Sequence, residues 1–141
     1  MSWDLSVFGS QKAPPSAAEM PQGWKGIVLG PATFVRDKIS SCLPGVDWND
    51  PKWGRYRGAG FSFEFNIGDA DPVNGFMIHV RGSGEVVPVL LALARDCGWY
   101  LLDTSTGEWL HLAQSQDAGW QSFQAFRGRV QDIVNKLGDD K

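Results

Sequence analysis

Phe61-Ser-Phe-Glu-Phe-Asn-Ile67 and Gly75-Phe-Met-Ile-His-Val-Arg81 are the two stretches that decide the fold. In the first, Phe61, Phe63, Phe65 and Ile67 alternate with Ser62, Glu64 and Asn66; in the second, Phe76, Ile78 and Val80 alternate with Met77, His79 and Arg81. A period of two sends successive side chains to opposite faces, so each stretch reads as a strand with one apolar face. The turn formers of Gly68-Asp-Ala-Asp-Pro-Val-Asn-Gly75 then join them as an antiparallel hairpin.

Downstream, Pro88 is tolerated only in the first turn of a helix, so a helix opens near Glu85. Val89, Leu90, Leu93 and Cys97 face the sheet, and Gly98 is the left-handed stop. Trp99–Asp103 and Glu108–Leu112 form a second hairpin around the polar turn Thr104-Ser-Thr-Gly107. Trp120, Phe123, Phe126 or Arg127, Val130, Ile133, Val134 and Leu137 then keep a three-four spacing over nearly five turns, which predicts a long helix ending at Gly138 and a frayed tail over 139–141.

Upstream, Ser2–Phe8 alternates Trp3, Leu5 and Val7 with Asp4 and Ser6, which suits a short strand or a loose arm. Pro14, Pro15 and Pro21 make 9–23 an extended linker, so residues 1–23 read as an N-terminal arm. Trp24–Leu29 suits a strand. Gly30-Pro31 starts a helix whose stripe is Ala32, Val35, Ile39 and Cys42, and Pro44-Gly45 stops it. Trp48 and Trp53 anchor the turn-rich loop after it, and Arg55–Gly58 leads into the first Phe-rich strand or adds a short one. The whole chain, 1–141, reads as one α+β domain: a two-layer fold with a mainly antiparallel sheet packed by about three helices.

Composition agrees with a folded globule and excludes several classes. Of the 141 residues, 43% are apolar, 12% are aromatic and seven are Trp, outside the range of disordered chains. Thirteen Lys and Arg against sixteen Asp and Glu give a net charge of −3, without the basic excess expected of a nucleic-acid binder. The longest apolar run, Val86–Ala94, is interrupted by Pro88 and is too short for a membrane span. With no basic segment and apolar run before Gly9, a cytoplasmic location is expected. Cys42 and Cys97 fall at apolar helix positions and read as free core thiols rather than a disulfide.

Complete catalytic constellations are missing from the residue pattern. Asp69, Asp71 and Asn74 suggest a calcium loop, but Pro72 and Val73 interrupt the ligand series and Val80 stands where the closing Glu is needed, so no metal is expected. Two His and two Cys lack zinc-ligand spacing. His79 and His111 are the only imidazoles for nucleophilic work. Glu64 with Asp103, or Asp103 with Glu108, are carboxylate pairs for general acid-base work where a cleft brings them together, and otherwise read as solvated acids on the hairpin edges. Gly82-Ser83-Gly84 resembles an anion-binding nest without the following Lys of a phosphate loop, and reads as a strand-to-helix turn. No cofactor is implied. The remaining unusual feature is Trp beside acid, as at Glu108-Trp109, a combination suited to binding hot spots.

Gly75-Phe-Met-Ile-His-Val-Arg-Gly-Ser-Gly84, Gly98-Trp99, Leu102-Asp-Thr-Ser-Thr-Gly-Glu108 and Gly119-Trp120-Gln-Ser-Phe123 together resemble a group of small uncharacterised bacterial proteins, over roughly half the chain. Small acidic α+β proteins of this kind are similar to immunity proteins encoded beside secreted or polymorphic toxins. The resemblance implies a stoichiometric binding module that occludes a cognate toxin encoded next door. Asp69, Asp71, His79, Glu108 and an exposed Trp109 are the expected partner-binding residues. The alternative is a small cytoplasmic hydrolase using His79 or His111 with nearby acids.

Overall fold

The computed structural model describes residues 1–111 and 118–139. Among them are six strands, β1 (Trp3–Gly9), β2 (Trp53–Arg57), β3 (Phe61–Asn66), β4 (Gly75–Gly82), β5 (Trp99–Asp103) and β6 (Glu108–Trp109), and three α-helices, α1 (Ala32–Cys42), α2 (Val86–Cys97) and α3 (Ala118–Asp139). The strands form a single antiparallel sheet in the order β2-β3-β4-β1-β5-β6, so the expected α+β architecture is the one found.

The Phe-rich hairpin pairs Phe63 with Val80 and Phe65 with Ile78, and all four are fully buried. Trp3, Leu5 and Val7 extend the same apolar face. Val35 and Ile39 of α1, and Val86, Leu90 and Leu93 of α2, close over it. Each helix therefore offers an apolar stripe to one side of the sheet, where most of the stabilising burial takes place. Gly98 ends α2 at φ +72, as the sequence requires.

Three expectations are corrected. Residues 1–23 are not an arm throughout, because Trp3–Gly9 is an inner strand between β4 and β5; the buried Trp3-Leu5-Val7 alternation explains why. Only 10–23 is arm-like, with one 3-10 turn at Ala17–Glu19. Trp24–Leu29 forms no strand: both edges of β1 are already occupied, so the segment makes only single bridges, Gly9 to Ile27 and Gly30 to Val73. β6 stops at Trp109, although Leu110 N–H still donates to Leu101 O at 2.9 Å. Leu112, Asp140 and Lys141, the ends of the expected strand and tail, lie outside the described residues, as does the side chain of Leu137.

The Gly82-Ser83-Gly84 turn offers carbonyls rather than an anion nest. Ser83 N–H donates to Gly60 O, while Gly82 O accepts from Gln124 and Arg127, and Gly84 O accepts from Trp120 Nε1 at 3.0 Å. These bonds seat the first turns of α3, where Trp120 packs on Trp3 with ring centroids 5.5 Å apart. Asp103 is 2% exposed below this helix start, its Oδ1 accepting from Ser105 N–H and Oγ–H at 2.9 and 2.6 Å. A Cβ at Gly119 would lie 1.8 Å from the other Asp103 oxygen, so only glycine lets the positive end of α3 approach that carboxylate.

Among the described residues no helix is long and apolar enough to cross a membrane. Cys42 and Cys97 are free, with sulfurs 3.6 Å apart in a thiol–thiol contact. Burial, then the neighbouring Cys42, pushes the Cys97 thiol up to about 12, leaving it protonated and a poor nucleophile at neutral pH.

Candidate functional site: the open face of the sheet

Strand pairing converts the polar half of each alternating pattern into rows across the face opposite the helices. One row runs Arg55, Glu64, His79, Asp4; the next runs Trp53, Asn66, Met77, Ser6, Leu102, Trp109. Six strands thus bring side chains separated by up to 105 positions onto one face of the sheet.

The centre of this face is a bonded cluster. His79 Nδ1 lies 2.7 Å from Asp4 Oδ1, and the imidazole stacks on Trp53 with centroids 5.5 Å apart and planes 23° from parallel. Trp53 Nε1–H donates to Glu64 Oε2 at 2.7 Å, and Arg81 forms an ion pair with the other Glu64 oxygen. The side chains of His79, Glu64, Asp4 and Arg81 are 18%, 24%, 36% and 42% exposed, so the cluster is held in place yet accessible from solvent. Each group's partner fixes its rotamer in advance, which lowers the ordering cost of binding.

At the β5–β6 side, Phe8, Trp24 and Trp109 pack mutually edge-to-face, with centroids 5.7 to 6.1 Å apart and planes 70 to 74° apart. A recess of about 650 Å³ lies beside them, bordered also by Met20, Lys25 and Asn74. Segment 20–26 supplies its rim, and His111 ties the arm down through Nε2–H to Pro14 O at 3.2 Å.

The expected site residues are not assembled at one place. Asp69 and Asp71 project from the β3–β4 loop at the Phe8 end of β1, whereas exposed Glu108 follows the β5–β6 turn at the Asp4 end. Asp69 pairs with Lys52 on the surface, and its hydrogen bond, then its charge, raises the Lys52 pKa. Asp71 serves the architecture instead, because its Oδ1 accepts from Ala32 N–H at 3.1 Å and so caps α1 in place of Pro31, which makes no side-chain cap bond. Asp71→Ala should therefore cost about 0.5–2 kcal/mol in denaturant titration, with Asp71→Asn recovering most of it; equal stability of all three proteins would remove the capping role. Trp109 is 3% exposed, which corrects the expectation of an exposed anchor: covered by Phe8 and Trp24, it supports the recess from behind.

Only His79 among the five stands in the central cluster. Of its companions, Asp4, Trp53 and Arg81 were not expected at the site, and Glu64 was expected only as a candidate catalytic acid, although Glu64 and Arg81 share its alternation phase. Glu64 and Asp103 cannot cooperate, because they lie on opposite faces.

An imidazole held at Nδ1 by a carboxylate is half of a general-base arrangement. The other half is a nucleophile at the imidazole. Ser2 Oγ–H donates instead to Asp4, Ser6 Oγ–H points to Met77 Sδ at 2.9 Å, and among the described residues no hydroxyl or thiol bonds the ring. Among those residues no three His, Cys, Asp or Glu side chains converge as a metal cluster. The arrangement is suited to recognition through fixed charges and an aromatic plane. No family model, curated protein or solved structure matches the chain.

Proposed function

We propose that this protein is a stoichiometric protein-binding module, acting in the bacterial cytoplasm as an immunity protein that docks on and occludes a cognate toxin, with no nucleic-acid partner. The observation that carries the binding reading is the open sheet face, whose Trp53, Glu64, His79 and Arg81 are locked by mutual bonds and remain accessible. Fixed aromatic and Arg groups at the centre of a patch are the usual carriers of affinity. The toxin as partner, and the bacterial setting, rest on the resemblance of the Gly75–Gly84 and Leu102–Glu108 motifs.

Co-expression with the large protein encoded next door, followed by pull-down and a growth-rescue titration, tests this. Protection should reach completion at one-to-one stoichiometry. Trp53→Ala and Arg81→Glu should each weaken the complex at least about tenfold, mainly through the off-rate. Asp69→Lys, at the distant loop, should change only the salt-dependent on-rate. Protection by substoichiometric amounts, abolished by His79→Gln, would replace this reading with the hydrolase.

A further inference from the structure

Among the described residues, the apolar side chains in the second half of α3 are far more exposed than those that seat its first turns. The helix has 22 residues, about 33 Å at 1.5 Å per residue. Its seat is made by the first turns: Trp120 stacks on Phe123 and tilts against Trp3, and Trp120, Gln124 and Arg127 bond the Gly82–Gly84 turn. Beyond that seat the apolar residues face solvent, with Phe126, Ile133 and Val134 50%, 59% and 55% exposed and Val130 partly buried. An isolated stretch of about a dozen residues is marginal as a helix in water, and exposing such a stripe adds no stability to it.

We propose that the exposed stripe of α3 made by Phe126, Val130, Ile133 and Val134 is a docking surface for an amphipathic helix of another protein, one with acidic flanks, pairing as a short two-stranded coiled coil. The spacing identifies the occupant as a helix. Phe123, Phe126, Val130 and Ile133 follow steps of three, four and three, and the sequence continues by four to Leu137. That is a repeat of 3.5, the period at which a seam stays in register with a second helix wound around it.

The flanks identify its charge. Arg129 and Lys136 stand one heptad apart along one border of the stripe, and Arg127 lies on the opposite border. Residues 126–136 carry three cations, of which Arg127 is already bonded to Gly82 O, against one acid, Asp132, on the helix's outer side, although the whole chain is net negative. A second copy running antiparallel would set Arg129 and Lys136 against their own kind. Running parallel, it would place Arg129 opposite Val134 and gain no ion pair. Glu at the partner's flanking positions would meet a cation instead. An anionic membrane is a weaker match, since electrostatic lipid recognition draws on clusters of roughly four to eight basic residues, and Arg127 is already bonded to Gly82 O at 2.7 Å. This surface belongs to the helix-covered side of the sheet, so the inference stands independently of a partner on the open face.

The full chain would be titrated with two synthetic 28-residue peptides bearing Leu at seam positions and either Glu or Lys at every flanking position, read by fluorescence anisotropy. Like charges keep each peptide from pairing with itself. The acidic peptide should bind one-to-one, at least tenfold tighter than the basic one, and lose affinity as NaCl rises. Ile133→Asp, at an exposed position that the fold does not use, should abolish binding, and Arg129→Glu with Lys136→Glu should invert the preference between peptides. The proposal is overturned if neither peptide binds, if both bind equally, or if Ile133→Asp changes nothing. It is equally overturned if sedimentation equilibrium shows a dimer that Ile133→Asp dissociates, or if phosphatidylcholine–phosphatidylserine vesicles capture the protein through the same residue. Failure here leaves the one-to-one toxin titration intact, and failure there leaves this binding intact.

Discussion

Phe63→Ala is expected to destabilise the protein by about 3–5 kcal/mol, the range for truncating a buried aromatic. Phe63 is fully buried on β3, facing Tyr56 on one side and Val80 on the other in the strand register. Its ring stacks on Tyr56 at 5.9 Å, tilts against Phe61 at 5.0 Å and meets Phe65 edge-on at 6.1 Å. Removing it deletes those contacts and leaves a hole among rings held by β-strand backbone, which collapses poorly, so the cavity cost adds to the lost transfer energy. Urea titration should show a lower midpoint with an unchanged slope. Phe126→Ala is the matched control: at 50% exposure it should cost no more than about 0.5 kcal/mol. A loss below about 1 kcal/mol for Phe63→Ala would mean that this face is not the core.

The same hairpin shows what a sequence can and cannot disclose here. The alternation of Phe61–Ile67 and Phe76–Val80, and the Pro88 and Gly98 boundaries of α2, are local signals, and each corresponds to an observed element. The inner position of β1 was not legible, because it depends on pairing Leu5 with Ile78 and Val7 with Leu101, and no pattern within Trp3–Gly9 names those partners. The site divides the same way. His79, Glu64 and Arg81 share one face by alternation alone, whereas Asp4 and Trp53 join them only through long-range pairing. Asp71 reads as a solvated turn acid until the chain brings Ala32 N–H, 39 positions away, to its carboxylate. Trp109 reads as a surface aromatic beside an acid, and its burial depends on Trp24 folding back from outside the sheet.

Gly82→Ala should cost about 2–5 kcal/mol, through two effects that add. The backbone there has φ +94, a conformation that costs an L-residue roughly 1–2 kcal/mol. The new Cβ would also stand 2.3 Å from Gly60 O and 2.7 Å from Phe61 Cα; these are main-chain atoms that cannot swing aside, and overpacking of this kind typically costs about 1–3 kcal/mol. Gly45→Ala separates the two terms: its φ is +102, but no heavy atom lies within 4 Å of the added Cβ, so it should show the strain alone. The clash should also be felt at α3, because Gly82 O holds Gln124 Nε2 at 2.8 Å and Arg127 Nη1 at 2.7 Å. Amide hydrogen exchange in the first turns of α3 should therefore accelerate in Gly82→Ala and stay unchanged in Gly45→Ala, since a shifted turn carbonyl loosens the helix seat before the sheet opens. Equal destabilisation by both substitutions, with α3 exchange unaltered, would show that the turn tolerates a side chain and that α3 is held by the packing of Trp120 against Trp3 alone.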